Sequence, residues 1–360
     1  MLQLQYIRDH QEAIIEALDK RTIDAKPMLD RVLELDSNRR KTQTELDESS
    51  ARMNQLSKEI GGLYKSGKAA EAEALKEETA SLKQQIKKLT DQLNDFVDSL
   101  NNELYQIPNV PHQSVVKGNS EDDNEIVLNE GELPTLGSNA LPHWELAKKY
   151  DLIDFELGVK IAGAGFPVYK GKGARLQRAL ISYFLDKNTE AGYTEVQPPL
   201  VVNEASGYGT GQLPDKEGQM YHIGIDDLYL IPTAEVPVTN IFRDSIVSEK
   251  ELPIQYTAYT PCFRREAGSY GAHVRGLNRL HQFDKVESVR VEHPDRSYQA
   301  LEEMVVHVQN ILRELKLPYR ILRLCGGDLG FTSALTYDFE LFSAGQDRWL
   351  EISSVSNFET

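Results

Sequence analysis

The stretch "TPCFRREAGSYGAHVRGLNRLHQFDKVE", Thr260 to Glu287, combines two strand-like ends with an unusual set of side chains. Alternate positions in these ends carry charged or aromatic residues, namely Arg264, Glu266, Arg279, Phe283 and Glu287. If the two ends pair as antiparallel strands, these residues share one face of a sheet. Glycines inside the stretch predict a long connection between the strands: Gly268, Gly271 and Gly276.

This face has the chemistry of a site for a nucleoside triphosphate. An arginine fork donates two parallel hydrogen bonds to phosphate and stays charged, a phenylalanine ring stacks on a flat base, and a glutamate accepts hydrogen bonds from an amine. The alternative is a solvated face with ion pairs, but Phe283 argues against it because an exposed ring there would need a partner. No GxxxxGK[ST] or GxGxxG motif occurs, so a bound nucleotide would lie on strands.

Composition narrows the class of protein. The chain has 360 residues, 40% hydrophobic and 27% charged, which is typical of a globular protein of two domains. Its formal net charge of −16 opposes loose adhesion to nucleic acid or anionic membrane, so a nucleic-acid partner must be held by local basic clusters. Cys262 and Cys325 are far apart and predict neither a disulfide nor a zinc site. No leader peptide or membrane-spanning run occurs, which predicts a cytoplasmic protein.

The N-terminal part carries a sustained heptad pattern. Apolar residues recur at alternating spacings of three and four between Pro27 and Leu104, and Gly61, Gly62 and Gly67 interrupt the repeat near its midpoint. The pattern predicts an antiparallel coiled-coil hairpin whose legs are each about 57 Å long at 1.5 Å per residue. Such an arm either oligomerises the protein or, because a hairpin satisfies its own seam, presents its outer faces to another partner.

The first leg of the arm offers candidate contacts to RNA. Polar residues break its apolar seam at Arg39, Thr42 and Ser49. Basic residues that could contact RNA are Arg39, Arg40, Lys41, Lys58, Lys65 and Lys68. Clusters of this kind are also typical of solvated helix faces, so they do not predict RNA binding by themselves.

The rest of the chain has a mixed pattern. Residues 107–144 are rich in Pro, Gly, Asn and acidic residues and predict a linker with a little strand. Beyond them, several hairpin-like strands and two long amphipathic helices predict an α+β fold with a mainly antiparallel sheet. We therefore expect two domains, 1–106 with the arm and 107–360.

Several segments together resemble one family. "FRREAGSYGAHVRGLNRLHQFDKVE" resembles motif 2 of class II aminoacyl-tRNA synthetases, and in detail that of the bacterial-type seryl-tRNA synthetases. "IPTAEVPVTN" is similar to the serine-binding TxE segment, "GYTEVQPPLVV" to motif 1 and "WLEISSVSNF" to the metal-proximal strand. The arm, its "IPNVPH" exit and "CGGDLGFTSALTYDFE" extend the resemblance nearly end to end. It implies an antiparallel sheet core flanked by helices, with 1–106 binding tRNA and 107–360 forming the catalytic domain.

The resemblance also implies roles for single residues. Arg264 would hold the α-phosphate, Glu266 the adenine amine and Arg279 the distal phosphates, and these three would be the catalytic residues. The whole ATP site would comprise Arg264, Arg265, Glu266, Arg279, Phe283, Glu351, Ile352, Ser353 and Ser354. Serine would be bound by Thr233, Ala234, Glu235, Arg264 and Glu287. Mg²⁺ would be placed by Glu351 and Ser354, because it prefers oxygen ligands.

The implied reaction is ATP-dependent activation of L-serine to seryl-adenylate, followed by transfer to tRNA(Ser) and also to tRNA(Sec). Neither step needs a protein nucleophile, since positioning and charge neutralisation supply the catalysis. The family forms homodimers through motif 1, which implies that Pro198 lies near the interface. No zinc and no membrane partner are implied.

The sequence departs from the family at its end. Members continue past "SVSNFET" into a third motif, whereas this sequence stops at Thr360, so we expect adenylation by this chain to be impaired. Two alternatives therefore remain open. One is a paralogue that charges a carrier protein, and the other is a non-catalytic tRNA-binding or coiled-coil protein.

Overall fold

A computed structural model describes residues 2–137, 139–216, 218–266 and 275–359. The connection predicted from Gly268 and Gly271 lies outside these residues, and so does Thr360. The chain forms two compact units, Met1–Gln113 and Ser114–Thr360. The segment after residue 106 is held to the first unit because Lys20 Nζ donates to the carbonyl of Gln113 (2.9 Å) and Ile107 is buried in its core.

The first unit consists of four helices, α1 (Leu4–Asp9), α2 (Gln11–Leu18), α3 (Lys26–Lys65) and α4 (Ala69–Leu104). Helices α3 and α4 pack along each other as the predicted hairpin. At its base, Ile7 and Ile14 of the short helices are fully buried against Val32 and Leu100 of the two long ones. This apolar cluster anchors the arm.

Two of the three polar residues predicted to break the seam of the first leg, Thr42 and Ser49, continue it instead. Thr42 and Ser49 are buried, and they follow Leu35 and precede Leu56 at the same seven-residue spacing. The hydroxyl of Ser49 donates to the Glu45 carbonyl at 2.7 Å, which satisfies it inside the helix. The seam therefore continues through small polar side chains.

The position of the arm's turn differs from the sequence prediction. Helix α3 continues through Gly61 and Gly62, and the chain reverses at Ser66–Lys68 instead. Gly67 has φ +76°, a left-handed conformation that glycine adopts without steric cost. Two exposed glycines weaken a helix but do not end it, because only Gly67 provides the backbone conformation that reverses the chain.

The second unit is α+β with mainly antiparallel strands, as predicted. Its strands in the described residues are β1 (Glu125–Glu130), β2 (Ile153–Asp154), β3 (Val168–Tyr169), β4 (Thr194–Glu195), β5 (Val201–Asn203), β6 (Tyr221–Ile223), β7 (Leu228–Leu230), β8 (Ile254–Phe263), β9 (Gln282–Val291), β10 (Tyr319–Arg323), β11 (Leu335–Ser343) and β12 (Arg348–Asn357). One sheet has the order β1-β10-β11-β12, a second the order β4-β8-β9 and a third the order β5-β7-β6, and a two-stranded pair joins β2 to β3. These neighbouring strands are antiparallel except β4 and β8, which are parallel.

Helices cover these sheets. They are α5 (His143–Lys149), α6 (Phe155–Ile161), α7 (Gly171–Glu190), α8 (Glu204–Gly209), α9 (Glu235–Thr239) and α10 (Ser297–Glu314). Helix α10 packs its apolar stripe, including Leu301 and Val305, against Phe339 and Val355 of the four-stranded sheet. Because this packing covers one face of β11 and β12, their opposite face is left for polar residues. In the described ranges no helix is long and apolar enough to cross a membrane.

Candidate active site

Strands β8 and β9 pair as the opening stretch predicts. Their register sets Cys262 opposite Phe283 and Ala258 opposite Glu287. Phe283, Lys285 and Glu287 alternate along β9, so their side chains emerge on one face. The predicted charged face therefore exists, and Lys285 belongs to its centre.

Arg264 follows the end of β8 and is held by backbone contacts. Its N–H donates to the carbonyl of His281 at 3.0 Å, and its Nε donates to the carbonyl of Pro232 at 3.3 Å. The guanidinium carbon lies 5.2 Å from the centre of the Phe283 ring, a cation–π distance. Arg264 thus joins the motif 2 strands to the segment that leads into Thr233.

Glu266 and Arg279 meet across the connection between the strands. Arg279 Nη1 lies 2.6 Å from Glu266 Oε2; the Glu266 side chain is 12% exposed and that of Arg279 is 55% exposed. Glu266 has φ +49°, and its N–H donates to Gln219 Oε1 at 3.0 Å. Arg265 N–H donates to the Gln219 carbonyl at 2.9 Å. Gln219, which no motif indicated, therefore fixes the backbone that presents Arg265 and Glu266 to a cavity of about 960 Å³.

Thr233, Lys285 and Glu287 form a compact polar cluster. The Thr233 hydroxyl donates to Glu287 Oε2 at 2.7 Å, and Lys285 Nζ lies 2.7 Å from the same oxygen and 3.0 Å from the hydroxyl. Although burial opposes its charge, Lys285 and Thr233 hold the pKa of Glu287 below its ordinary value. Lys285 was not among the predicted site residues, but its place in the alternation of β9 was visible in the sequence.

Glu235, the first residue of α9, lies beside this cluster. Burial and the charge of Glu287 raise the pKa of Glu235 to about 7, against the opposing effect of Lys285 and Arg264. Among the residues that the structure describes, no side chain or N–H group donates to its carboxylate. Ala234 is fully buried against Val238, which fixes the start of the helix. The carboxylate is therefore available for a cationic ligand.

The two predicted metal ligands, Glu351 and Ser354, lie on β12, where a bulge determines their relative orientation. The register sets Glu351 opposite Glu340 and Ser354 opposite Asp338, with an irregularity at Ile352. In a regular strand, residues 351 and 354 would face opposite sides, whereas the extra residue of a bulge brings them to one face.

Ser353 does not share that face. It pairs with Phe339, whose side chain points into the apolar core, so the Ser353 side chain is directed to the same side. Ile352, the extra residue of the bulge, is 46% exposed.

Asp338 is a further acidic residue on this face; it lies in the segment "CGGDLGFTSALTYDFE", to which no site residue was assigned. Ser354 hydrogen-bonds to it, and its buried Oδ1 has no hydrogen-bond partner among the described residues. Burial and the charge of Glu351 raise the pKa of Asp338 to about 7. Glu351 is exposed as a whole residue, but partial desolvation of its carboxylate raises its pKa, while Arg264 and Lys285 partly offset the rise. The effect of Arg264 and Lys285 on Glu351 indicates that β12 lies close to the motif 2 face.

Outside this site, the candidate RNA contacts lie along the arm. Asp36 is fully buried and binds three arginines, Arg8 (2.6 Å), Arg39 (2.9 Å) and Arg40 (3.1 Å). Arg39 and Arg40 are therefore not isolated charges. The remaining predicted basic residues are exposed: Lys41, Lys58, Lys65 and Lys68.

Pro198 lies in the second unit, between β4 and β5, and is partly buried. Apolar residues on nearby elements are exposed, including Leu200 at 39% and, on α7, Leu176 at 57%.

Comparison with known proteins agrees with this architecture. Residues 221–360 match the family described as tRNA synthetase class II core domain (G, H, P, S and T), and residues 1–111 match the seryl-tRNA synthetase N-terminal domain. The antiparallel sheet with its charged strand face is thus that of a class II aminoacyl-tRNA synthetase.

Whole-chain relatives narrow the class. The chain is 52% identical to the serine–tRNA ligase of Salinibacter ruber, with 100% of this chain and 84% of the relative covered, and 46% identical to that of Chlorobaculum parvum with the same coverage. The structure is similar to seryl-tRNA synthetase from Pyrococcus horikoshii complexed with ATP, with a TM-score of 0.89, 30% identity and coverage of 100% and 85%. The chain belongs to the seryl-tRNA synthetase family, and the resemblance seen in its motifs is confirmed.

Proposed function

We propose that this chain activates L-serine with ATP and transfers the seryl group to tRNA(Ser), and also to tRNA(Sec). The observation that carries the proposal is the cluster of Thr233, Lys285 and Glu287 beside the carboxylate of Glu235, within the electrostatic reach of Arg264. It provides a small polar pocket for an amino acid at the end of a nucleotide-binding face. Relatives named serine–tRNA ligases at full coverage favour this reaction over a carrier-protein ligase or a non-catalytic scaffold.

Serine fits this pocket by charge and size. The ammonium group pairs with the Glu235 carboxylate, and the hydroxyl of the substrate hydrogen-bonds to the pair formed by Thr233 and Glu287. Arg264 holds the substrate carboxylate, while Ala234 limits the depth of the pocket. Alanine would leave the polar groups of the pocket unpaired, which is a strong basis for discrimination.

ATP lies along the motif 2 face. Its adenine stacks on Phe283 and its amine donates to Glu266, while Arg264 and Arg265 face the α-phosphate region. When ATP binds, Arg279 releases Glu266 and pairs with the distal phosphates instead. A carboxylate oxygen of serine then attacks the α-phosphorus, the bond to the bridging oxygen breaks, and pyrophosphate leaves. Arg264 stabilises the charge that develops on the α-phosphoryl oxygens.

Magnesium fits the polar face of β12. Glu351 and Ser354 offer oxygen ligands, and within the described ranges the buried Oδ1 of Asp338 has no hydrogen-bond partner. Ile352 and Ser353 lie between these two ligands on β12. In the described residues no group of three or more His, Cys, Asp or Glu side chains could hold a metal alone. Magnesium usually binds one or two carboxylates together with substrate phosphates. When bound, the ion neutralises phosphate charge, and no zinc is required.

The remaining assignments concern partners. The N-terminal unit, Met1–Gln113, binds tRNA through its arm, with Arg39, Arg40, Lys41, Lys58, Lys65 and Lys68 as contacts to the phosphate backbone, and the second unit, Ser114–Thr360, is catalytic. Exposed apolar residues on α7 and near Pro198 support a homodimer built through motif 1. No membrane partner is required, and we assign the protein to the cytoplasm, where tRNA is charged.

Binding of a stable seryl-adenylate analogue tests this function. The analogue 5′-O-[N-(L-seryl)sulfamoyl]adenosine should bind the chain in calorimetry, and the alanyl analogue should bind at least about tenfold more weakly. Arg264→Ala should abolish binding, whereas Arg296→Ala, which pairs with Glu292 outside the site, should leave it intact. Serine-dependent exchange of pyrophosphate into ATP provides the catalytic readout. A folded chain that binds neither analogue overturns the proposal.

A further inference from the structure

The strand-to-strand connection returns to β9 through residues 275–281, here named the returning limb. His143, the first residue of α5, holds its backbone, because the N–H of Leu277 donates to His143 Nε2 at 2.7 Å. Gly276 has φ +76°, and a Cβ at that position would lie 2.2 Å from the same nitrogen. Glycine is therefore needed for the imidazole to reach the backbone.

Neighbouring groups hold the imidazole in place. The side chain of Asn278 donates to Gln346 Oε1 at 2.9 Å, which places the Gln346 side chain against the imidazole. Because Nε2 accepts from Leu277, Nδ1 carries the ring proton, so the 3.3 Å between Nδ1 and the Gln346 amide nitrogen is a packing contact. The ring of Trp144 packs edge-on against His143 at 5.0 Å, and the Arg275 guanidinium lies 5.0 Å from the centre of the Trp144 ring. The returning limb is thus fastened to α5 and to the turn between β11 and β12.

The far end of the limb has a second anchor. His281 N–H donates to the Gly165 carbonyl at 2.9 Å, and the His281 carbonyl accepts from Arg264. Arg279 lies between the two anchors, two residues beyond Leu277, and extends to Glu266. A change at His143 therefore alters the backbone that carries Arg279 without touching the pocket of Thr233 and Glu235.

We propose that His143 is a positioning residue that fixes the returning limb and thereby aims Arg279 at the distal phosphates of ATP. The inference rests on the proposed function, since it assigns a purpose to the placement of Arg279. Only a neutral imidazole can accept at Nε2. Burial and the nearby charge of Arg348 lower the pKa of His143, which favours the neutral ring with an unprotonated Nε2.

Two substitutions separate the hydrogen bond from general packing. His143→Gln keeps an acceptor oxygen near the position of Nε2. The shorter side chain of His143→Asn does not reach the N–H of Leu277 and keeps only the contact with Gln346. Affinities for ATP and for AMP are measured by calorimetry. We expect His143→Asn to weaken ATP binding about three- to tenfold, the range for one hydrogen bond, with AMP binding unchanged and His143→Gln close to the unaltered protein.

Arg279→Ala and the double variant complete the design. If His143 acts through Arg279, the double variant loses no more ATP affinity than Arg279→Ala alone. Equal loss of ATP and AMP affinity in His143→Asn, or no loss of either, overturns the inference while Arg279→Ala still discriminates the two nucleotides. If Arg279→Ala itself binds ATP as tightly as the unaltered protein, the role proposed for Arg279 is wrong and the inference falls with it.

Discussion

The binding of serine should depend on pH through Glu235. Its carboxylate lies beside Glu287, and burial together with that neighbouring charge raises the pKa of Glu235 to about 7. Only the ionised form attracts the ammonium group of serine. Affinity should therefore increase as the pH rises through the pKa and decrease as Glu235 takes up a proton at lower pH.

The pKa sets the size of this effect. With a pKa of about 7, Glu235 is about nine-tenths ionised at pH 8, half ionised at pH 7 and one-tenth ionised at pH 6. Because the apparent dissociation constant scales with the inverse of the competent fraction, serine affinity should fall about tenfold from pH 8 to pH 6.

Calorimetric titration with serine at pH 6, 7 and 8 measures this slope. Glu235→Gln should bind serine weakly at every pH and lose the slope, whereas Glu249→Gln, whose side chain is 82% exposed, should retain it. The ligand 3-hydroxypropanoate lacks the ammonium group and should bind without the slope. A Glu235→Gln protein that keeps the tenfold change would refute the assignment of Glu235 to the ammonium group.

Three further predictions concern other parts of the chain. Asp36→Ala should destabilise the N-terminal unit by about 1–3 kcal/mol, because it removes the charged hydrogen bonds that a buried carboxylate accepts from partly exposed arginines. Thermal unfolding measures this loss, with Asp30→Ala, at a side chain that is 49% exposed, as the control. Asn188→Leu should lower the free energy of unfolding by about 2–4 kcal/mol, because the buried amide hydrogen-bonds three partners, among them His307 at 2.7 Å. Urea unfolding measures this loss, and an unchanged midpoint would contradict it. Ser354→Ala should raise, by about tenfold, the magnesium concentration at which ATP displaces the bound seryl-adenylate analogue. An unaltered magnesium dependence would show that Ser354 is not a metal ligand.

The motif 2 face was largely predictable from sequence. Alternation along β9 sets Phe283 and Glu287 on one side whatever lies around them, because the side-chain period of a strand is two. The same alternation included Lys285, but its ion pair with Glu287 required the register of the strands and the approach of Thr233.

Other parts of the site were not predictable from local pattern. The bulge at Ile352 brings Glu351 and Ser354 to one face, and strand alternation alone would have separated them. Asp338 reaches Ser354 only through the register of β11 and β12, and His143 comes from a segment more than 130 residues before Leu277 and reaches it only through packing.

The sequence by itself determined the coiled-coil hairpin, the antiparallel α+β core and the charged strand face, because each follows from a repeat of apolar or polar residues along a single element. Tertiary structure decided where the arm turns, since Gly67, and neither Gly61 nor Gly62, adopts the left-handed backbone. It also decided which carboxylates and amides meet around the strand face. Contacts between distant segments depend on register, bulges and burial, and those properties belong to the folded chain as a whole.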